Sequence, residues 1–229
     1  MNLAALFSGG KDSTYSIYKA KQMGHDIKCL ITVFPKSVNS HLLHFPNIEL
    51  TKLQSETLKI PQITSTSNSD DLSDEMYALE VLIEKARVDF QIDGLVHGGI
   101  SSEFQKKKFE KICKEDNLDI ISPLWKTNPK EYMINLLNSN FKFILTSVSS
   151  DGLDETWLGK IISIDDVSLL SNLSSKHGFN LNFEGGEAET FVTDCPIYSH
   201  PIKVNKSQTI WDGYRGRFEI EDASLDSNA

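Results

Sequence analysis

The chain has 229 residues, enough for one large domain or two small ones with real cores, and it carries a net charge of −9. That acidic balance argues against wrapping a long nucleic acid, which rests on many Lys and Arg contacts to phosphate, but it leaves room for a local basic site. No apolar run approaches the length needed to span a bilayer, so neither bulk nucleic-acid binding nor membrane insertion is expected.

The chain opens on Leu3–Phe7, a short apolar run with no basic leader, which reads as a first strand and not as a signal peptide. It leads into Ser8-Gly9-Gly10-Lys11-Asp12-Ser13. A helix follows from Asp12 to Met23, with Tyr15, Ile17, Tyr18 and Met23 at helical spacing and a stop at Gly24. Ile27–Phe34 is β-branched and reads as a strand. Asn47 is the expected cap of a helix over Ile48–Leu58, Pro61–Thr64 a short strand, and Leu72–Gln91 a long amphipathic helix. Gly94–His97 is a strand ending at Gly98-Gly99, followed by a helix from Ser102 to Asp116 and a strand at Ile120–Ile121. This alternation predicts an α/β fold, with a doubly wound, mostly parallel sheet.

Pro123 and Pro129 then interrupt the pattern, which places a boundary near Trp125–Pro129 and two domains at 1–128 and 129–229. The second is expected to be smaller and α+β. Pro129–Asn138 and Ile164–His177 read as helices and Phe141–Val148 as a strand; the remainder is rich in Gly, Pro and β-branched residues. From Glu219 onward the chain reads as an acidic tail whose last residues are mobile. Cys29, Cys113 and Cys195 are scattered, with no Cys-x-x-Cys pair. They read as small buried hydrophobes in a reducing, cytoplasmic compartment, with neither a zinc site nor a disulfide framework.

Ser8-Gly9-Gly10-Lys11-Asp12-Ser13 lies between a strand and a helix, the context an anion site requires. Its glycines let backbone N–H groups close on phosphate oxygens, the helix adds the positive end of its dipole, and Ser8 and Ser13 add hydroxyls. It is neither a Walker loop nor a Gly-x-Gly-x-x-Gly loop. The bland alternative is a capped Gly-Gly turn. The hexapeptide, placed directly after the first strand, resembles the PP-loop of the N-type ATP pyrophosphatases, which cut ATP to AMP and pyrophosphate.

Later segments narrow the resemblance. Ser40-His41-Leu42-Leu43-His44-Phe45-Pro46-Asn47, Gly98 through Glu110, Pro123-Leu124-Trp125-Lys126, Gly152 through Gly159, and Glu184-Gly185-Gly186-Glu187-Ala188-Glu189-Thr190 with Asp194-Cys195-Pro196 resemble, in order, the diphthine–ammonia ligase family. That resemblance covers about residues 1–200. It implies a Rossmann-like, adenine nucleotide α-hydrolase-like first domain and the amidation of diphthine, on translation elongation factor 2, to diphthamide. ATP, Mg²⁺ and ammonium would be consumed or used, an acyl-adenylate formed, and AMP and pyrophosphate released.

Within it, Ser8, Gly9, Gly10, Lys11, Asp12 and Ser13 would hold the phosphates, with Lys11 and Asp12 catalytic and Asp12 a Mg²⁺ ligand. Thr32 and Val33 at the end of the second strand, and Gly98 and Gly99 at the end of a later one, lie where doubly wound sheets bind ligands and are expected around adenine and ribose. On the helix after Gly99, Phe109, Ile112 and Cys113 form an apolar stripe with Gln105 at its edge, while Lys107, Lys111 and Lys114 face away. Lys106 and Lys108 flank the stripe, between a site role and a surface role. Glu184, Glu187 and Glu189 crowd two glycines; either they sit in water or a cation lies among them. On the functional reading Glu187 and Glu189 are catalytic, binding ammonium, Mg²⁺ or the trimethylammonium head of the substrate. Glu184, His44, Gln105, Lys106, Lys108, Trp125, Lys126 and Trp157 complete the expected substrate site, the two tryptophans being either aromatic walls or core. His97 is expected to be structural.

Sulfur transfer to tRNA is disfavoured by the unpaired cysteines, and a glutamine-dependent amidotransferase would need a glutaminase domain for which there is no room. An enzyme amidating a small-molecule carboxylate, of the kind found in cobalamin-related metabolism, and a non-catalytic adenine-nucleotide sensor remain open. So does the oligomeric state, a homodimer included.

Overall fold

The computed structural model describes residues 1–34, 47–69 and 71–226, without the side chains of Ile48 and Gln105. The chain divides into two compact units, Met1–Trp125 and Lys126–Ala229. Among the described residues no helix is long and apolar enough to cross a membrane.

The first unit is built on strands β1 (Asn2–Leu6), β2 (Asp26–Phe34), β3 (Gln62–Thr66), β4 (Gly94–Val96) and β5 (Asp119–Ile121), in the order β3-β2-β1-β4-β5 and all parallel. Helices α1 (Lys11–Gln22), α2 (Thr51–Leu58), α3 (Leu72–Phe90) and α4 (Glu103–Glu115) make the connections. The amphipathic pattern of α3 accounts for its seat: Ala78, Leu79, Leu82, Ile83 and Ala86 fall on one face. They pack with alternate β2 residues Cys29, Ile31 and Val33 and with Ile112 and Cys113 of α4. On the other side of β2, the Thr32 hydroxyl donates to the Phe7 carbonyl (2.7 Å) and accepts from Gln62 Nε2 (2.7 Å), which also donates to Thr51 of α2 (2.8 Å). Successive strands are laid down outward from β1 on one side and then, after β3, on the other. The order therefore reverses between β1 and β4, and the C-terminal ends of these two strands are where sheets of this kind bind ligands.

The expected α/β architecture holds, with two local corrections. The helical stretch expected over Ile48–Leu58 starts as a 3-10 turn over Ile48–Leu50 and becomes α2 only at Thr51, and Asn47 before it adopts a left-handed φ of 67°. The acidic stretch after Glu219 is not a loose tail as far as Leu225, because it forms most of β9 (Gly216–Leu225).

The second unit has a four-stranded antiparallel sheet in the order β7-β6-β9-β8, from β6 (Lys142–Val148), β7 (Ala188–Asp194), β8 (Ile202–Trp211) and β9. The acidic residues of β9 are compensated across the hairpin: Lys206 ion-pairs with Glu221, and Asn205 Nδ2 donates to Asp222 (3.0 Å). Helices α5 (Pro129–Asn138) and α6 (Ile164–His177) complete the unit. Asn128 caps α5, its Oδ1 accepting from the N–H groups of Lys130 (3.0 Å) and Glu131 (3.1 Å), with Pro129 at the first helical position.

Helix α6 starts in a capping box. Ser163 Oγ accepts from Asp166 N–H (3.3 Å), Asp166 Oδ2 accepts from Ser163 N–H (2.9 Å) and Oγ (2.8 Å), and Lys160 Nζ binds Asp166 Oδ1. Burial alone would raise the Asp166 carboxyl, but the bonds from Lys160 and Ser163 outweigh it and hold the group below its ordinary value of 3.8. A carboxyl lowered by folding stabilises the fold above the unfolded value, and that contribution disappears as pH falls through the folded one. Melting temperature followed against pH should therefore drop in a component below pH 3.8. Asp166→Asn should remove that component while costing about 1 kcal/mol at neutral pH through the weakened cap. An unchanged acid profile in the variant would exclude Asp166 as its source.

Candidate active site

The β1–α1 loop is shaped by small residues and closed by a distant one. Gly9 takes a φ of 77°, and a Cβ there would lie 2.0 Å from Gln54 Oε1. Gln54, buried in α2, donates from Nε2 to the Gly9 carbonyl (2.8 Å) and so holds the loop from below. Ser8 N–H and Oγ approach Ser13 Oγ at 3.3 and 3.2 Å, and Ser13 Oγ donates to the Gly10 carbonyl (3.1 Å). Gly10, which has no side chain to cap with, stands at the N-cap of α1, so the loop meets the positive end of the helix dipole. Lys11 is 2% exposed, and its Nζ lies 3.0 Å from Asp12 Oδ2. A buried ammonium at a helix N-terminus is an arrangement that favours a multiply charged anion.

Gly98 belongs to the same assembly. A Cβ at Gly98 would lie 2.5 to 2.7 Å from the backbone of Asp12 and Ser13, so the end of β4 can touch the first turn of α1 only through a glycine. Gly99 N–H donates to His97 Nδ1 (3.1 Å), which leaves the proton on Nε2 to be given to Ser122 Oγ (2.7 Å). His97 is 2% exposed and its ring meets Phe109 edge-on, which makes it a brace for the Gly98-Gly99 turn. The side chains of Thr32 and Val33 are committed elsewhere, to the hydrogen bonds and the α3-facing core already described. Contacts from these two residues to a nucleotide would come from backbone.

The structure separates Lys106 from Lys108. Two residues apart on a helix is about 200°, so their side chains leave α4 on different sides. Lys106 Nζ sits 4.3 Å from the centroid of the half-buried Trp125 ring and 3.6 Å from Glu110. Lys108 Nζ lies 5.6 Å from the Phe104 ring and lines a shallow surface cleft with Leu72, Met76, Tyr77 and Glu80 of α3. Lys107 is exposed. His44 and the Gln105 side chain lie outside the described residues.

In the second unit, Glu187 is bound within its own turn. Its Oε1 accepts from Asn180 N–H (2.9 Å) and Nδ2 (2.7 Å), and its Oε2 from Gly185 N–H (2.8 Å). Ser149 ties the same turn to β6 through its N–H to the Glu187 carbonyl (2.8 Å) and its Oγ to the Gly186 carbonyl (2.7 Å). Glu184 and Glu189 are half-buried, and Glu189 pairs with Ser147 in the sheet. Trp157 is 5% exposed, packed in the core with Lys160 Nζ at 5.0 Å from its ring, whereas Lys126 is exposed. The structure thus brings together the loop residues with Gly98, Lys106 with Trp125, and Glu187 with Gly185. Gln54 and Ser149 were missed by sequence reasoning, because each acts on a partner more than 35 residues away.

All three cysteines are buried, and burial pushes each thiol up to about 12. None supplies a thiolate near neutrality for sulfur chemistry.

Family models described as the diphthamide synthase N-terminal domain and C-terminal domain match residues 1–120 and 128–225. Similar proteins include the diphthine–ammonia ligase of Rattus norvegicus, 30% identical, and that of Homo sapiens, 29% identical, each over 92% of this chain and 85% of the relative. The diphthine–ammonia ligase of Saccharomyces cerevisiae is 26% identical over 87% of this chain, which spans 34% of that protein. A crystal structure titled as a predicted subunit of tRNA methyltransferase from Methanocaldococcus jannaschii superposes with a TM-score of 0.44 at 18% identity, covering 86% of this chain and 98% of that one. At that level it adds nothing to the functional argument.

Proposed function

Because the chain belongs to the diphthamide synthase family, we propose that it is an ATP-dependent ligase that converts diphthine on translation elongation factor 2 to diphthamide. The reaction uses ammonium and releases AMP and pyrophosphate. The observation that carries the nucleotide half of this reading is the β1–α1 loop, with its buried Lys11 and its contact to Gly98.

A carboxylate is a poor acyl donor. Transfer of AMP to one of its oxygens turns that oxygen into a leaving group that ammonia can displace, and the displaced AMP carries away the negative charge. The protein's part is positioning and charge neutralisation. The N-terminus of α1 and Lys11 would grip the pyrophosphate portion of ATP, with Ser8 and Ser13 donating to its oxygens. Gly98 and Gly99 would approach the nucleoside, and residues 1–128 would form the ATP-binding domain.

Asp12, with its side chain 30% exposed beside Lys11, fits as a single carboxylate ligand to Mg²⁺. That ion usually keeps several waters and takes its other ligands from substrate phosphates, so a lone carboxylate suffices. When bound it would spread the phosphate charge.

Residues 129–229 would present the substrate. Glu189 and Glu184 would meet ammonium or the cationic substrate head, while Glu187 shapes the turn that carries them. Trp125 offers an aromatic face on which Lys106 now rests, a place suited to a cation. The inert thiols favour nitrogen over sulfur as the incoming nucleophile and suit a cytoplasmic enzyme.

Incubation with ATP, ammonium and diphthine-bearing elongation factor 2 should give AMP in step with the mass change from carboxylate to amide. ADP as the product would overturn the reading. AMP formed only with a small acid would move the activity to another substrate, and binding without turnover would make the protein a sensor.

A further inference from the structure

Two of the chain's three arginines, Arg215 and Arg217, flank Gly216 at the start of β9; the third, Arg87, is held by Glu84 on α3. Sheet register fixes where Arg217 lies. Ser147 of β6 pairs with Glu189 on one side and Arg217 on the other, and Arg217 pairs in turn with Ile210 of β8. Residues paired directly across a sheet share a face, so Glu189, Ser147, Arg217 and Ile210 form one row across all four strands. The adjacent row, Ala188, Val148, Gly216 and Trp211, points the opposite way. That second row is the packed one: Ala188 and Val148 are buried, and a Cβ on Gly216 would lie 2.6 Å from the Trp211 ring. The first row is open, with Ser147, Glu189 and Arg217 half-buried and Ile210 exposed. It starts two residues after Glu187, at the mouth of the glutamate-rich turn.

The Arg217 guanidinium lies 3.3 Å from Glu219, an ion pair between side chains each 41% exposed. Such surface pairs contribute little and exchange readily for a better partner. Strand spacing sets the Cα atoms of Glu189 and Arg217 about 10 Å apart, with only the small Ser147 between them. Two long side chains of opposite charge therefore rise from one face on either side of the Ser147 hydroxyl. The support is firm, because Asp212 Oδ1 accepts from the N–H groups of Tyr214 (2.8 Å) and Arg215 (2.7 Å) and fixes the turn that leads into β9. A guanidinium fork matches a carboxylate in a way an ammonium does not, and a carboxylate nearby complements a cation on the same ligand.

We propose that Arg217 receives the carboxylate of the substrate, with Ser147 beside it and Glu189 facing the substrate's quaternary ammonium group. The row is a zwitterion subsite, and Arg217 orients the carboxylate that is to be activated. This rests on the ligase reading above and adds to it the residue that reads the acid.

The test compares wild type, Arg217→Gln, Arg217→Lys and Arg215→Gln on diphthine-bearing elongation factor 2, with melting temperature and the ATP dissociation constant measured on each. Arg217→Gln should raise KM for the protein substrate at least tenfold and leave ATP binding within twofold. Arg217→Lys should fall between it and wild type, and Arg215→Gln should stay within threefold of wild type. An active wild type with an equally active Arg217→Gln overturns the subsite and leaves the ligase reading standing. Equal losses in the Arg215 and Arg217 variants also overturn it, since they mark general charge attraction. A wild type inert toward this substrate overturns the ligase reading and the subsite together.

Discussion

Gly98→Ala should reduce ATP-dependent AMP formation by about a hundredfold or more, because the added methyl displaces the first turn of α1 from the end of β4. The three atoms it meets, at 2.5 to 2.7 Å, are all backbone atoms of Asp12 and Ser13 and cannot swing aside as a side chain can. Relief must come from moving α1 or β4. A shift of about 1 Å in groups that align a substrate costs on the order of a hundredfold in rate, and here the shifted groups are the amides and the ammonium expected to hold phosphate. Overpacking of this kind also costs about 1–3 kcal/mol of stability, so the rate must be read well below the melting transition. The ATP dissociation constant should rise with the rate loss. A folded Gly98→Ala protein that binds and splits ATP like wild type would remove the β4–α1 contact from the nucleotide site.

How much of this was legible in the sequence differs by element. The loop between β1 and α1 was legible because all its determinants are local: two glycines, a lysine and a helix start within six residues. The inner face of α3 was legible because Ala78, Leu79, Leu82, Ile83 and Ala86 recur at helical spacing. β9 was read as a tail because Glu219, Glu221 and Asp222 dominate its composition. The strand signal was the alternation of Phe218 and Ile220, which needed β8 opposite it to bury anything. Asn47 marked where the helical stretch begins, but the left-handed conformation it adopts there, which an Asn tolerates, had no separate signal. The Gln54–Gly9 bond and the row from Glu189 to Arg217 had no sequence signal at all. Each depends on which residues the sheet brings together, and register between distant strands is not written in local spacing.

Glu187→Gln should cut amide formation strongly while leaving ATP binding intact, and it should lower the melting temperature as well. The reason lies in the donors around the carboxylate. All three hydrogen bonds it accepts come from N–H groups, two on Oε1 and one on Oε2. A glutamine keeps only one acceptor oxygen. If that oxygen takes the Oε1 position and keeps the two Asn180 bonds, its NH₂ faces the Gly185 N–H, donor against donor. If it takes the other position, both Asn180 donors lose their acceptor. These bonds are solvent-exposed, so water takes up part of the loss, and the cost is about 0.5–1.5 kcal/mol. The turn is tightly fitted, since a Cβ-sized group at Gly185 would already meet Glu187 Oε1 at 2.6 Å. The Gly185–Gly186 turn should therefore loosen, and with it the placement of Glu184 and Glu189 on either side. Glu189→Gln provides the contrast: on the present reading it should reduce amidation by weakening the hold on a cation, with little change in melting temperature. If Glu187→Gln instead melts like wild type and loses activity with an unaltered turn, Glu187 contacts the reacting groups directly and the structural role assigned to it is wrong.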